Sequence, residues 1–112
     1  MNTSLSRRDE LMVELEHLIA KLAQDPRCQR AILFGSLTSA DVGESSDIDL
    51  IIIQDTAMPF WQRMREMRRY LAPRVAADLL VYTPEEFEQL RRERPFFRDE
   101  VQAKGKVVYE RA

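Results

Sequence analysis

Apolar positions along the chain follow two periods, one helical and one extended. Leu11, Leu15, Leu18 and Leu22, flanked by Met12 and Ile19, recur at helical spacing and predict a helix from about Arg7 to Ala23. Ser6 with Asp9 three residues on is a capping signal at its start, and Asp25-Pro26 ends it. Ala31 to Phe34 reads as a short buried strand. The stretch 35–46, rich in Gly, Ser, Thr and Asp, predicts a short helix followed by a loop. Asp47 to Gln54 is a second strand, and its uninterrupted apolar run Leu50-Ile51-Ile52-Ile53 implies burial on both faces. Pro59 fits the first turn of a helix closed by Pro73. Phe60, Met64, Met67 and Leu71 form the apolar stripe of that helix, and Arg63, Arg65, Arg68 and Arg69 cover its solvated face.

Val75 to Tyr82 is a third strand, with Asp78 lodged in it. Thr83-Pro84-Glu85-Glu86 combines an N-cap, a proline at the first helical position and a glutamate at the third, opening a helix to about Arg92. Pro95 starts a further helical segment anchored by Phe96, Phe97 and Val101. Gly105 ends it, and Lys106 to Glu110 forms a last strand. The alternation predicts one small α/β (α+β) domain over residues 1–112, with a mixed sheet of three or four strands flanked by helices. Its parts are an N-terminal helix (1–25), a sheet core (31–82) and C-terminal helices with a strand (83–112).

Composition narrows the class. At 112 residues the chain buries roughly 65% of the surface its unfolded form exposes, and needs no disulfide or structural metal to fold. With 45% hydrophobic and 32% charged residues it is globular, and a net charge of −2 argues against nucleic acid as the main partner. The single cysteine, Cys28, excludes an intrachain disulfide and reads as a reduced structural thiol. His17, the single histidine, sits off the leucine stripe as a solvated residue. Trp61 suits either core or an interface. No apolar run reaches the ~20 residues of a membrane span, and Met1 to Glu10 lacks a signal-peptide core, so the expected location is cytoplasmic, with no membrane partner.

The chemistry is concentrated in Leu33-Phe34-Gly35-Ser36 and Ser46-Asp47-Ile48-Asp49-Leu50. In an extended strand Asp47 and Asp49 project to the same face. Two adjacent carboxylates repel unless a cation lies between them, and an oxygen-only ligand set suits Mg²⁺. A Gly-Ser turn nearby offers close backbone approach and a hydroxyl to a phosphate. Asp78, one strand later, is a third acid in an apolar run, where a carboxylate is costly unless compensated. Its structural alternatives are a salt bridge to an arginine or a strand end open to water.

The pattern G-S-x₁₀-D-x-D with a later strand Asp resembles the nucleotidyltransferase superfamily that includes DNA polymerase β. More narrowly, the chain resembles the stand-alone minimal nucleotidyltransferases of bacteria and archaea. Pro59-Phe60-Trp61, the run from Ala77 to Phe87, and the ending from Pro95-Phe96-Phe97 to Tyr109 extend the resemblance over nearly everything after the first helix. It implies a polymerase β-like fold. Asp47, Asp49 and Asp78 would be catalytic residues and Mg²⁺ ligands, and Gly35 and Ser36 would bind the phosphates of a nucleoside triphosphate, most often ATP. Asp78 would also help deprotonate an acceptor hydroxyl, which attacks the α-phosphorus in line.

The resemblance also implies a partner. Small proteins of this kind pair with a helical HEPN-type protein in a toxin–antitoxin arrangement, as the antitoxin that modifies or binds it. Family members commonly read Gly-Ser-x-Ala-Arg-Gly after the first strand, where this chain has Gly35-Ser36-Leu37-Thr38-Ser39-Ala40. Three readings follow: weaker nucleotide binding, a cation borrowed from Arg63 or its neighbours, or lost activity. The functional expectations are therefore transfer of a nucleotidyl group to a partner protein, a catalytically degenerate domain that neutralises its partner by binding, and, ranked last, a small-molecule (antibiotic) nucleotidyltransferase.

Overall fold

The computed structural model describes residues 7–38, 47–73 and 75–112; the cap expected at Ser6 lies outside the described residues. The leucine stripe becomes α1 (Arg7–Ala23), with Leu11, Leu15, Leu18 and Leu22 buried and His17 exposed. Asp9 and Glu10 in its first turn and Lys21 in its last complement the helix dipole. Its C-terminal end is held from the far end of the chain. Arg111 donates to the carbonyls of Ala23 (3.3 Å), Asp25 (2.9 Å) and Cys28 (3.0 Å), acceptors near the helix end.

Four strands form one mixed sheet in the order β3-β2-β1-β4. β1 (Cys28–Phe34) pairs antiparallel with β2 (Ile48–Gln54) and with β4 (Lys106–Glu110), while β2 and β3 (Ala77–Tyr82) run parallel. β1 begins three residues before the expected Ala31, because Cys28 is itself buried and exposed Gln29 follows it. The free Cys28 thiol is pushed up to about 12, mainly by burial, and so stays protonated, the inert thiol expected of it. β2 is one of the two inner strands, and its apolar run is buried on both faces, as read from the sequence. β3 starts two residues after Val75; Ala76 just ahead of it accepts a hydrogen bond from the Ile48 N–H.

The sheet separates two apolar layers. On one face α1 and α2 (Phe60–Arg68) pack with Leu33, Leu50, Ile52, Leu79 and Val81. On the other, α3 (Pro84–Glu93) and a π-helical segment (Phe96–Gln102) place Phe87, Phe97 and Val101 over Ile32, Ile51 and Ile53. The α3 cap is the expected capping box: Thr83 Oγ1 accepts from Glu86 N–H and Glu86 Oε1 accepts from Thr83 N–H.

Side chains of α2 correct several expectations. Pro59 is its N-cap rather than a first-turn residue, and α2 ends at Arg68, five residues before Pro73. Arg63 is not part of a solvated face. It is buried, donating to Met58 O (2.8 Å), Val81 O (3.3 Å) and Glu86 Oε1 (2.6 Å). Phe60, read as part of the buried stripe, is 42% exposed and lies against Tyr82. Trp61 is 61% exposed and so is not core, and Phe96 is 44% exposed while Phe97 and Val101 anchor its segment. Among the described residues no helix is long and apolar enough to cross a membrane.

Candidate active site

The three acids singled out in the sequence meet at one end of the sheet. The parallel register of β2 and β3 sets Asp49 opposite Asp78. Asp47 lies two positions before Asp49, so the extended chain returns it to the same face. One carboxylate oxygen from each of Asp47, Asp49 and Asp78 lies within 4.8 Å of the others. Asp47 and Asp49 are half-buried. Asp78, read as lodged in an apolar run, is open to solvent near the start of β3.

This crowding has an electrostatic consequence. Burial, and then the negative charges of Asp47 and Asp78 with their hydrogen bonds, push the Asp49 carboxyl up to about 6. A cation shared among three carboxylates at this spacing would offset their mutual repulsion. An all-oxygen donor set of this kind suits a hard divalent ion such as Mg²⁺.

Gly35 closes the site from the neighbouring strand. Phe34 is the cross-strand partner of Asp49, and Gly35 follows it with φ +77°, a left-handed conformation that favours glycine. A Cβ at this position would overlap Asp49 Oδ2 and stand 3.1 Å from Asp49 Cγ. The glycine is therefore required twice, by its backbone angle and by the carboxylate against it. It opens a single 3-10 turn, Gly35–Thr38, in which Ser36 is the second residue. Buried Leu37 anchors that turn to the α1 face, and Thr38 Oγ1 donates to Gly35 O at 2.7 Å.

Ser39 and Ala40, where the family pattern has arginine and glycine, lie outside the described residues. Arg63, considered as a replacement cation, is committed to Glu86 and to Val81 O near the end of β3, whereas Asp78 lies near its start. Two other guanidinium groups lie closer. Arg8 donates to Leu37 O (3.3 Å) from the start of α1, and Arg68 shares with Asp78 a cavity of about 230 Å³ at the edge of β3. Arg68 is one of the neighbours of Arg63 considered from the sequence as a source of the cation; Arg8 was not flagged by local pattern, because tertiary packing brings it to the turn. A cavity of about 410 Å³ lined by Arg30, Phe87, Arg91 and Gln102 shares no residue with the carboxylate cluster.

Residues 16–112 match the family described as Polymerase beta, Nucleotidyltransferase, and the chain belongs to that family. It also superposes on the crystal structure of a candidate nucleotidyltransferase from Sulfolobus solfataricus, with a TM-score of 0.66 and 16% identity. That match covers 98% of this chain and 94% of the other, and at such low identity it speaks to the fold. No curated protein matches the chain.

Proposed function

We propose that the chain is a Mg²⁺-dependent nucleotidyltransferase that moves a nucleoside monophosphate, AMP by preference, from a nucleoside triphosphate to a hydroxyl of a partner protein. The observation that carries this reading is the convergence of Asp47, Asp49 and Asp78 within 4.8 Å, beside a glycine that the Asp49 carboxylate itself requires. These three residues would hold the metal, which supplies positive charge opposite the triphosphate and the leaving pyrophosphate. Gly35, lacking a side chain, lets the main chain of the turn approach the phosphates, and Ser36 follows it there.

Asp78 has the exposure needed to receive a proton from an incoming hydroxyl. The acceptor oxygen bonds to the α-phosphorus as the bond to the bridging oxygen breaks, and pyrophosphate departs. Asp49, half-buried and pressed by two neighbouring acids, holds the remaining ligands in register. A family-level expectation names the acceptor as a HEPN-type helical protein, with this chain as the antitoxin of the pair in the cytoplasm.

A second reading, a degenerate domain that neutralises its partner by binding alone, draws on one observation. Arg63, one candidate for the cation missing at position 39, is bound to Glu86. One experiment separates the two: transfer of label from ATP to a HEPN-type partner in Mg²⁺. The enzyme reading predicts transfer from α-labelled ATP, none from γ-labelled ATP, and none by Asp49→Asn. Neutralisation of the partner by Asp47→Asn/Asp49→Asn, with no transfer by wild type, establishes the binding module instead.

A further inference from the structure

The second face of the sheet carries a run of aromatic rings that the core explains only in part. Phe60 lies 5.4 Å from Tyr82, Tyr82 5.6 Å from Phe97, Phe97 5.3 Å from Phe96, and Phe96 5.6 Å from Phe34, centroid to centroid. Phe97 is the ring that fills the core: it is 9% exposed and also meets Phe87 at 6.4 Å. Together with fully buried Val101 it fixes the π-helical segment on the sheet. Phe96 is not needed for that task. It leaves 44% of its surface in water.

Its position relative to the acids gives the exposed ring a use. Phe34 and Asp49 are direct partners in the antiparallel β1–β2 ladder. Ile32 and Phe34 belong to the same apolar layer as Ile51, Ile53, Leu80 and Tyr82, so alternation along the strands puts Asp49 and Asp78 on that face as well. Side chains directly opposite in such a pair have Cβ atoms about 5 Å apart. The Phe34 ring therefore stands beside the Asp49 carboxylate, and the exposed Phe96 ring stands one ring beyond it. Polar groups for the phosphates and an open aromatic for something flat and apolar are thus neighbours on a single face.

We infer that Phe96, seated on Phe34, is the platform on which the base of the nucleoside triphosphate stacks, so that Phe96 sets affinity for the nucleoside while the acids and Gly35 set affinity for the phosphates. The inference rests on the nucleotide reading of the site above. A base offers a π-face to an aromatic side chain whatever its hydrogen-bonding edge. The platform thus favours any nucleoside triphosphate over a bare polyphosphate and does not by itself choose among bases.

The test is calorimetric binding of Mg-ATP and of Mg-tripolyphosphate to wild type, Phe96→Ala and Phe96→Trp. Loss of a stacked aromatic lowers affinity for a base by about 5- to 150-fold. Phe96→Ala should show that loss for ATP and bind tripolyphosphate within about twofold of wild type, and Phe96→Trp should restore ATP binding. Circular dichroism of the Ala variant should be unchanged, because Phe97 and Val101 still anchor the segment. ATP affinity unaffected by Phe96→Ala, or a parallel loss for tripolyphosphate, overturns the platform. Wild type that binds tripolyphosphate as tightly as ATP overturns the platform alone. Wild type that binds neither overturns the nucleotide reading and the platform with it.

Discussion

Replacing Asp49 by asparagine should make the metal-free protein more stable. Asp49 is raised from the ordinary 3.8 to about 6 by burial and by Asp47 and Asp78. Between those two values the folded protein holds a proton that the unfolded chain has released, so stability falls as pH rises from about 4 to about 6 and stays low above that. Taken at face value, a rise of this size corresponds to about 3 kcal/mol of destabilisation at neutral pH. The carboxylate is half-exposed, and solvent screening reduces this to about 1 kcal/mol. Asparagine keeps the shape and removes the charge. For a domain of this length, Asp49→Asn should raise the melting temperature at pH 7.5 by about 4 °C in EDTA, with the difference vanishing below about pH 4. Scanning calorimetry across that range is the assay. Saturating Mg²⁺ should reverse the order, stabilising wild type more than the variant. A variant less stable than wild type in EDTA at pH 7.5, or a difference independent of pH, would refute the electrostatic reasoning.

Three further predictions test the frame around the site. Gly35→Ala must abandon φ +77° or displace the Asp49 carboxylate, and should cost about 1–2 kcal/mol in urea unfolding as well as weaken Mg-ATP binding. Asp25, whose side chain is 14% exposed, is held down to about 2, chiefly by its hydrogen bonds from Arg27. Its contribution of about 2 kcal/mol is present above pH 4 and lost as pH falls through 2, so acid unfolding of Asp25→Asn should show a correspondingly flatter pH dependence. Arg63→Met keeps the stem but strips the donors from Met58 O, Val81 O and Glu86, and should cost about 2 kcal/mol by denaturant unfolding without removing a phosphate contact.

How much of this was legible in the sequence depended on whether the deciding contact was local. The bounds of α1 and β4 follow from a leucine stripe with a proline stop and from the run Val107-Val108-Tyr109 behind a glycine stop, and both agree with the structure. The capping box at Thr83 and Glu86 is a three-residue motif and needed no tertiary information. Asp47 and Asp49 share a face because of strand periodicity. Their meeting with Asp78 depends on the parallel β2–β3 register, which no local pattern encodes. Arg63 was misread because its partner Glu86 lies 23 residues away on another helix. Phe60 and Phe96 continue apolar patterns yet remain exposed, because the pattern marks a helix face and not how far the neighbouring layer extends over it. For Asp78 the sequence left a salt bridge and an open strand end as alternatives to a site role, and the exposed position one residue into β3 is fixed by where that strand begins.

The most direct test of the central claim is a crystal structure of the protein soaked with Mn²⁺ and a non-hydrolysable ATP analogue, read by anomalous scattering. The carboxylate site predicts an anomalous peak ligated by Asp47, Asp49 and Asp78, with the analogue's phosphates over Gly35 and Ser36. Nucleotide bound elsewhere, or no metal at the three acids under conditions that saturate ATP binding, would contradict it.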